Sequence, residues 1–357
     1  MRLASTRTVK PNKTIAKTIY NETGSVLVRQ GVVVTEQLKE SLLKRGITCI
    51  YIEEDSTKDI YVNLSIPSDL RIEATKTIRE VFSEMKMEQN FIFNKREEKL
   101  TKMIRNLIEN MSVQKDGLSL LADILVTDDY LFQHSLNVAL YALAIGSQLR
   151  FSEKELIELG LGSILNDFGK IFIDDTILKK EAHLTTEEYE EMKQHPELGF
   201  DFIRQHTDLP TVVAHCAYQH HERLDGSGYP RKLVGNEIHT YAKVIGVADV
   251  FDAVTTNRVY RKAMLPHEGL EILYAQATDK FDIKIVEAFK KSIVIYPNGI
   301  TVELSDGRKG VVVRQNQHLY DRPIIRIMDV DDTGNSEYYD LDLSKALNIM
   351  ITSCYIV

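Results

Sequence analysis

Cysteine is scarce in this chain, and long apolar runs are missing. The three cysteines, Cys49, Cys216 and Cys354, lie far apart and form no CxxC pair. The sequence therefore offers neither a disulfide framework nor a cysteine zinc site. No stretch approaches the roughly 18 consecutive apolar residues of a membrane-spanning helix, and the basic N-terminal segment is not followed by the apolar run of a signal peptide. We therefore expect a cytoplasmic protein that does not associate with a membrane.

A positive charge balance is also missing. The chain has 44 lysines and arginines against 52 aspartates and glutamates, which gives a formal net charge of -8. We therefore expect no DNA binding, because DNA-binding chains usually carry an excess of positive charge. Hydrophobic residues make up 43% of the chain and charged residues 27%, a composition typical of folded globular proteins. With 357 residues, the chain is long enough for two or three domains.

The pattern of residues 1–56 predicts a small α/β module. Strand-like stretches cover Ile15–Tyr20 and Ser25–Arg29, and an apolar run covers Cys49–Ile52. Between them, Thr35 is a typical N-terminal cap of a short helix, and Gly46 is a typical stop after that helix. A segment of this size buries little apolar surface by itself, so we expect it to pack on another part of the protein.

Residues 57–117 predict a helical connector. From Asp69 to Met111, apolar residues recur mostly every three or four positions, with lysines and glutamates between them. Two interpretations stay open. The segment is either an amphipathic connector packed on its neighbours or a dimerisation helix that carries a signal from the N-terminal module. The second interpretation predicts a homodimer and a signalling protein partner.

Residues 293–357 predict a small β module. Its expected strands are Ile293–Tyr296, Thr301–Leu304, Gly310–Arg314 and Ile324–Met328. The pair Asp306-Gly307, between two of these strands, is typical of a tight hairpin turn.

Residues 118–292 have helical patterns and contain most of the ten histidines. His220 and His221 are adjacent, and Gly226, Gly228 and Pro230 follow them. Two adjacent imidazoles on a helix point in different directions, so they can bind one metal ion only where the helix ends or is distorted. Glycine and proline supply such irregular backbone, and we expect a pocket-forming loop directly after the histidines.

Two aspartates in this region also indicate a site. Asp167 and Lys170 are three residues apart, close enough to share one helical face. A carboxylate that bridges two metals, beside a lysine that donates a proton or holds a phosphate, suits hydrolytic chemistry. Asp249 lies in an apolar run, where a carboxylate is costly without a partner.

These motifs resemble the HD-GYP family, a branch of the HD phosphohydrolases, over roughly residues 118–292. The motifs are Gln133-His134-Ser135, Asn166-Asp167-Phe168-Gly169-Lys170, Met192 to Gly199, His220 to Pro230 and Val247 to Ala253. The resemblance implies a mainly α fold, an HD-domain helical bundle to which the small N-terminal α/β module and the small C-terminal β module are attached. It also implies a metal-dependent cyclic di-GMP phosphodiesterase that uses two divalent metal ions, iron or manganese.

The resemblance also implies roles for individual residues. One metal would take Asp167, His195, His220 and His221, and the other would share Asp167 and add His134, Asp249 and Asn166. Lys170 would lie beside the scissile phosphate and act with Asp167 in catalysis. Tyr229, Arg258 and Arg261 would bind the substrate, although either arginine has a structural alternative as a helix cap or as the partner of an acid. We expect Arg223 and Asp225 to form a salt bridge that shapes the loop.

Asn166 departs from the family pattern, in which a histidine precedes the aspartate. An amide oxygen is a weaker ligand for iron or manganese than an imidazole nitrogen. Two hypotheses stay open: a phosphodiesterase with a weakened metal site, and a catalytically inactive module that binds cyclic di-GMP or metal without hydrolysis. Tyr130 stands where family members with a third metal carry a glutamate, so we expect at most two metals.

Overall fold

The computed structural model describes residues 1–21, 25–62, 66–87, 94–113, 118, 130–178, 180, 182–256, 264–317, 319–330 and 336–356. The chain divides into two units. Unit 1 comprises Met1–Asp69, Gln114–Asp128 and Ile293–Val357, and unit 2 comprises Leu70–Val113 and Asp129–Ser292. The N-terminal and C-terminal segments thus share one unit, and the connector belongs with the histidine-rich segment.

Among the described residues, the N-terminal part of unit 1 contains short strands, one α-helix and a 3-10 helix at Asp55–Thr57. The elements are β1 Arg2–Ser5, β2 Thr14–Ile15, β3 Ile19–Tyr20, β4 Val26–Val28, α1 Glu36–Lys44 and β5 Cys49–Glu53. An antiparallel sheet has the order β1-β5-β2, and β3 pairs with β4. The predicted cap of α1 is confirmed, since the Thr35 hydroxyl accepts a hydrogen bond from the Leu38 amide. The predicted strand over Ile15–Tyr20 is divided into β2 and β3, and the sequence patterns did not predict β1.

The C-terminal part of unit 1 is an antiparallel sheet of five strands. They are β6 Thr301–Leu304, β7 Lys309–Arg314, β8 Ile324–Val330, β9 Ser336–Asp342 and β10 Ile351–Tyr355, in the order β10-β6-β7-β8-β9. The predicted turn at Asp306-Gly307 joins β6 to β7, and Gly307 has a φ of 86° that favours glycine. The strand predicted over Ile293–Tyr296 is wrong, because among the described residues Ile293 forms only an isolated bridge with Leu118.

Hydrogen bonds join the two parts of unit 1. The Leu3 amide donates to the Gly299 carbonyl at 2.8 Å. The Arg326 guanidinium, on β8, donates to both carboxylate oxygens of Asp59 at 2.6 and 2.9 Å. A planar fork that meets a carboxylate at two points fixes geometry better than a single contact does. The small N-terminal module therefore packs on the C-terminal sheet, as its size predicts.

Unit 2 is helical. Its α-helices are α2 Ser68–Met87, α3 Asn94–Val113, α4 Tyr130–Gln148, α5 Glu153–Leu165, α6 Asp175–Leu178, α7 Thr186–Met192, α8 His195–His206, α9 Thr211–Gln219, α10 Thr240–Thr255, α11 Pro266–Ala275 and α12 Ile283–Lys290. The first two residues of α2 fall in unit 1. Two 3-10 helices cover Phe168–Phe172 and Gly235–Glu237. The predicted mainly α fold, with small sheets in the terminal segments, is confirmed. In the described ranges, no helix combines the length and hydropathy needed to cross a bilayer.

The apolar faces of the connector helices α2 and α3 are buried. Ile78 and Phe82 on α2, and Ile104 and Leu107 on α3, are at most 1% exposed. Phe82 meets the rings of Phe132 and Phe168 edge-on. This burial agrees with a connector packed on its neighbours, and the dimerisation role stays a prediction.

Two helices that carry candidate ligands, α4 and α10, are buried on nearly every face. Every residue from 134 to 146 on α4 is buried, and α10 is buried over most of its length. A helix that is apolar all round must be surrounded by other elements. Tyr141, Phe251 and Phe289 form edge-to-face pairs between α4, α10 and α12. The candidate ligands on these helices therefore stand on well-packed backbone.

Candidate metal centre

Helix ends bring most of the predicted ligands together. His195 is the first residue of α8, and Asp167 follows α5 and precedes a 3-10 helix. Helix α9 ends at Gln219, so His220 and His221 lie just beyond it, which confirms the expected helix end at the histidine pair. All seven predicted ligands are buried except His221, whose side chain is 16% exposed.

The first candidate site, here called the three-histidine cluster, contains Asp167, His195, His220 and His221. One potential ligand atom from each residue lies within 4.8 Å of the others. The Oδ1 atom of Asp167 lies 3.2 Å from His195 Nε2 and 3.6 Å from His220 Nε2. The two Nε2 atoms are 3.4 Å apart. Three atoms that can bind a cation therefore converge on one point.

The hydrogen bonds of the Nδ1 atoms determine whether the Nε2 atoms of His195 and His220 carry a proton or a lone pair. His195 Nδ1 donates to the Met192 carbonyl at 2.7 Å, and His220 Nδ1 donates to the Ala217 carbonyl at 2.8 Å. A carbonyl only accepts, so in the neutral ring the proton is on Nδ1 and Nε2 presents a lone pair. Burial lowers the pKa of His195 and favours this neutral form. Two lone pairs and a carboxylate oxygen then face one another, and a bound cation relieves their repulsion.

His221 completes the three-histidine cluster from the loop side. Burial, followed by the neighbouring His220 and His195, holds the pKa of His221 well below its usual value. The ring is therefore neutral near pH 7, the form that binds metals. Its Nδ1 atom lies 3.9 Å from Asp249 Oδ2, so His221 also borders the second site.

The second candidate site, the His134 cluster, contains His134, Asp167 and Asp249. His134 Nε2 lies 3.0 Å from Asp249 Oδ1 and 3.3 Å from Asp167 Oδ2. His134 Nδ1 donates to Asp252 Oδ2 at 2.6 Å. A carboxylate on the outer nitrogen of a histidine fixes the ring and directs the other nitrogen at a metal. The geometry again presents Nε2 as a ligand.

Asp252 was missed in the interpretation of the sequence. It follows Asp249 by three residues on α10 and is 1% exposed. A buried carboxylate three positions from another one lies on the same helical face, and it needs a partner of its own. That spacing was the available signal.

Asp167 connects the two clusters and pairs with Lys170. Burial by itself would raise the pKa of Asp167, but the positive charge of Lys170, the largest opposing contribution, brings that pKa well below its usual value. Lys170 Nζ donates to Asp167 Oδ2 at 2.6 Å. The carboxylate is therefore ionised, as a metal ligand must be.

Gly169 allows the segment around Asp167 to approach α8. A side-chain Cβ built at Gly169 would lie 1.9 Å from the His195 carbonyl oxygen and 2.7 Å from the Gly199 amide nitrogen. Both are backbone atoms and cannot turn away. Only glycine fits here, and its absence of a side chain lets Asp167 and His195 meet.

Asn166 is fully buried, and neither polar atom of its side chain has a hydrogen-bond partner among the described residues. A buried amide without a partner costs about 1–3 kcal/mol. Ligation of a metal by Oδ1 would satisfy part of this side chain. Together, the orphaned amide, the converging lone pairs and the mixed nitrogen and oxygen donors fit bound divalent metal ions.

Backbone contacts shape the loop after His221. Glu222 is 5% exposed, and its carboxylate accepts hydrogen bonds from the amides of Arg231 and Leu233. A Cβ at Gly228 would lie 2.5 Å from the His221 carbonyl oxygen. Glycine is therefore required where this loop folds back onto His221. The role of Glu222 was not anticipated from the sequence.

The predicted salt bridge between Arg223 and Asp225 is wrong. Arg223 instead donates to the backbone carbonyls of His220 and Glu222 at 3.0 and 2.8 Å. Asp225 accepts from the amide and hydroxyl of Ser227. A guanidinium serves buried carbonyls better than any other side chain, because it offers five donors in one plane. Arg223 thus stabilises the turn that presents His220.

The predicted substrate-binding residues fall into two groups. Tyr229 stacks on the His221 ring, with centroids 4.6 Å apart and an interplanar angle of 25°. Burial raises the pKa of Tyr229, so its hydroxyl stays protonated. Lys193 Nζ lies 5.8 Å from the centre of the Tyr229 ring, a cation near the site that the sequence did not single out. Arg258 and Arg261 lie outside the described residues.

Comparison with known proteins now identifies the family. The profile of the HD domain family matches residues 89–285, more than half of the chain. This chain belongs to the HD domain family. The family predicted from the motifs is thereby confirmed, and HD phosphohydrolases bind divalent metals, in agreement with the two buried clusters.

Curated relatives match about half of this chain. A cyclic di-GMP phosphodiesterase of Pseudomonas aeruginosa is 33% identical over 201 residues, 56% of this chain and 48% of that protein. The cyclic di-GMP phosphodiesterase response regulator RpfG of Xanthomonas campestris is 41% identical over 145 residues, 40% of this chain and 38% of that protein. A 3'3'-cGAMP-specific phosphodiesterase of Vibrio cholerae is 33% identical over 172 residues, 48% of this chain and 37% of that protein. The chain thus spans less than half the length of each of these relatives.

Proposed function

We propose that this HD domain protein hydrolyses a phosphodiester bond of cyclic di-GMP with two bound divalent ions, iron or manganese. One observation carries the proposal. Asp167 offers Oδ1 to the three-histidine cluster and Oδ2 to His134. A single carboxylate placed between two ligand sets is the arrangement that bridges two ions. The names of the relatives support phosphodiester hydrolysis of a cyclic dinucleotide.

The residues around the clusters suit an anionic substrate. Bound divalent ions supply Lewis acidity for phosphodiester hydrolysis. The Lys170 side chain is 19% exposed, whereas Asp167 is fully buried, so its ammonium can meet a phosphate that the carboxylate cannot reach. Lys170 would hold a non-bridging oxygen or donate a proton to the leaving oxygen. General acid catalysis of this kind contributes roughly 10²–10⁴-fold in rate.

Tyr229 and Lys193 provide the groups that would hold a guanine nucleotide. Tyr229 stacks on His221 and is near the Lys193 ammonium. Stacking of a base on an aromatic ring is worth roughly 1–3 kcal/mol, and an ammonium can bind a phosphate or the guanine carbonyl oxygen. Tyr229 therefore stays our candidate for substrate binding, together with the predicted Arg258 and Arg261.

Asn166 supports an alternative function, in which the protein binds cyclic di-GMP without hydrolysing it. Its amide oxygen would ligate the ion of the His134 cluster more weakly than a histidine would. A protein with one weakly held ion could bind the dinucleotide and fail to cleave it. The relatives favour hydrolysis, and the experiment below separates the two functions.

The test is turnover by the purified protein after anaerobic loading with Fe(II) or Mn(II). Cyclic di-GMP and 3'3'-cGAMP would be incubated separately, and the linear dinucleotide and mononucleotides would be followed by chromatography. Asp167→Ala removes the shared ligand and should abolish turnover, whereas Asp279→Ala, at an exposed turn, should leave it unchanged. Tight binding without turnover would support the alternative. If two ions bind and neither dinucleotide binds or reacts, both functions are excluded.

A further inference from the structure

A buried hydrogen-bond chain joins α2 to the metal ligand His134. The Arg71 guanidinium donates to Asn137 Oδ1 at 3.0 Å. Asn137 Nδ2 donates to Asp252 Oδ1 at 2.8 Å, and Asp252 Oδ2 accepts from His134 Nδ1 at 2.6 Å. These four residues are 7% exposed or less. The chain starts in the first turn of α2 and ends on the ring of a candidate ligand.

Each step of this chain sets the orientation of the next. Asn137 Oδ1 accepts from both Arg71 and Gln133, so an amide flip would place the Asn137 amino group against two donors. The amino group therefore faces Asp252. Asp252 Oδ1 also accepts from the Thr256 hydroxyl at 3.0 Å, which leaves Oδ2 for His134. The proton of His134 is thereby held on Nδ1, and Nε2 faces Asp167 and Asp249.

We propose that Arg71 is a positioning residue for the metal site. It acts through Asn137 and Asp252 on His134, so that the metal affinity of the His134 cluster depends on how the first turn of α2 is seated. The proposal rests on the metal site of the proposed function but not on its substrate. Low exposure of every member supports it, because a hydrogen bond is stronger and a lost one costlier away from water.

The position of Arg71 also suggests that movement of α2 can affect the metal site. Helix α2 begins at Ser68, and the division between the two units falls after Asp69. Arg71 is therefore close to the point where the chain passes from unit 1 into unit 2. A displacement of this end of α2 would reach His134 through two intervening side chains. Metal binding and the position of this end of α2 are then coupled. If metal binds more tightly when Arg71 contacts Asn137, bound metal must in turn stabilise that contact.

The first experiment measures metal affinity. Metal-free wild type, Arg71→Met, Asn137→Ala and the double variant would be titrated with Mn²⁺ by calorimetry. Loss of a contact behind a metal-binding histidine typically lowers affinity by about 10–100-fold, so one of the two ions should bind more weakly by that factor. The double variant should bind no more weakly than the worse single variant, because both act through one chain. Arg71→Lys, which keeps a cationic donor, should recover part of the affinity.

Arg79→Met is the matched control. Arg79 lies two turns further along α2, and its guanidinium packs over the Phe132 ring. This variant should bind both ions with wild-type affinity. The proposal would be overturned if Arg71→Met and Arg79→Met lost the same Mn²⁺ affinity, or if the losses of affinity in the double variant were additive. Either result would assign Arg71 a purely structural role.

The second experiment uses the wild-type protein and keeps the test decisive if a variant fails to fold. Amide hydrogen exchange of residues 68–80 would be compared with and without Mn²⁺. Metal binding should slow exchange in the first turns of α2, and Asn137→Ala should remove this effect. Unchanged exchange in α2 after two ions bind would overturn the proposal and leave the proposed function intact. A wild type that binds no Mn²⁺ or Fe(II) would instead contradict the metal site itself.

Discussion

Lys170 Nζ lies 2.6 Å from Asp167 Oδ2, and this ion pair joins a partly exposed side chain to a fully buried one. Asp167 lies between the two candidate clusters, and the Lys170 side chain is 19% exposed. In the proposed function, we therefore assign the carboxylate to metal binding and expect the Lys170 ammonium to contact the substrate phosphate.

Lys170→Met should lower kcat by about 10²–10⁴-fold, because it removes the group that holds the phosphate or donates a proton. The Mn²⁺ content should stay at two ions, since Lys170 is not a ligand. Steady-state kinetics and metal analysis of the same sample would check both parts. Lys154→Met, at a lysine whose side chain is 86% exposed on α5, should leave kcat unchanged. Loss of metal in Lys170→Met would show that the lysine maintains the site instead of acting on the substrate.

Asn166→Asp should strengthen metal binding, because it replaces an amide oxygen by a carboxylate of nearly the same shape. Without metal, the variant should be less stable than wild type by about 1–3 kcal/mol, since a buried carboxylate lacks a partner there. Thermal unfolding with chelator and with Mn²⁺ would reveal both effects. Asn166→Ala should bind Mn²⁺ more weakly than wild type. Equal affinities for Asn166→Ala and wild type would exclude Asn166 as a ligand.

Gly169→Ala should destabilise the protein by about 1–3 kcal/mol, the usual cost of overpacking, and should weaken metal binding. The added carbon would lie 1.9 Å from the His195 carbonyl oxygen, so relief requires movement of a ligand. Denaturant unfolding and Mn²⁺ titration would measure the two effects. Gly307→Ala is the control, because nothing lies within 4 Å of its Cβ position. It should cost roughly 1–2 kcal/mol for the left-handed backbone and leave metal affinity unchanged.

The residues of both clusters are those that the family resemblance implied as metal ligands, and for several of them the chemistry of the side chain pointed the same way. His220 and His221 could share one ion only past the end of a helix, and α9 does end at Gln219. Asp249 was expected to need a partner because it lies in an apolar run, and it lies 3.0 Å from His134. Residue type and local pattern were sufficient where the chemistry of the side chain was unusual for its surroundings.

The supporting residues were harder to predict. Arg71 and Asn137 are 66 residues apart in the chain, and nothing local to either indicates that they meet. Glu222 resembles an ordinary surface acid until its burial is known. Arg223 and Asp225 suggested a local ion pair, yet the guanidinium bonds to buried carbonyls instead. Contacts that depend on tertiary packing leave little local signal.

In unit 1, the secondary structure that depends on distant pairing was also not predicted from the sequence. Thr35 was identified as a cap because its hydrogen bond is local. Strand β1 was not predicted, because its edge is defined by pairing with β5, where Arg2 lies opposite Ile52. Ile293 has the apolar neighbours of a strand, but its only described bridge is to Leu118. Strand formation depends on a partner that the local sequence does not specify.

Removal of metal should lower the stability of the wild type, because the lone pairs of His195 and His220 then face the Asp167 carboxylate without a cation. At a Mn²⁺ concentration about 100-fold above Kd, binding should add about 2.7 kcal/mol to the free energy of unfolding. Asp167→Asn should lose this metal-dependent gain. Its metal-free form should be less stable than metal-free wild type, because the Lys170 ammonium, 2.6 Å from Asp167 Oδ2, loses its anionic partner.

Calorimetric unfolding with chelator and with Mn²⁺ would compare the two proteins under the same conditions. The sign of the effect in metal-free Asp167→Asn is the informative result. A variant at least as stable as metal-free wild type would mean that repulsion between the Asp167 carboxylate and the lone pairs of His195 and His220 outweighs the attraction of Lys170 when no ion is bound.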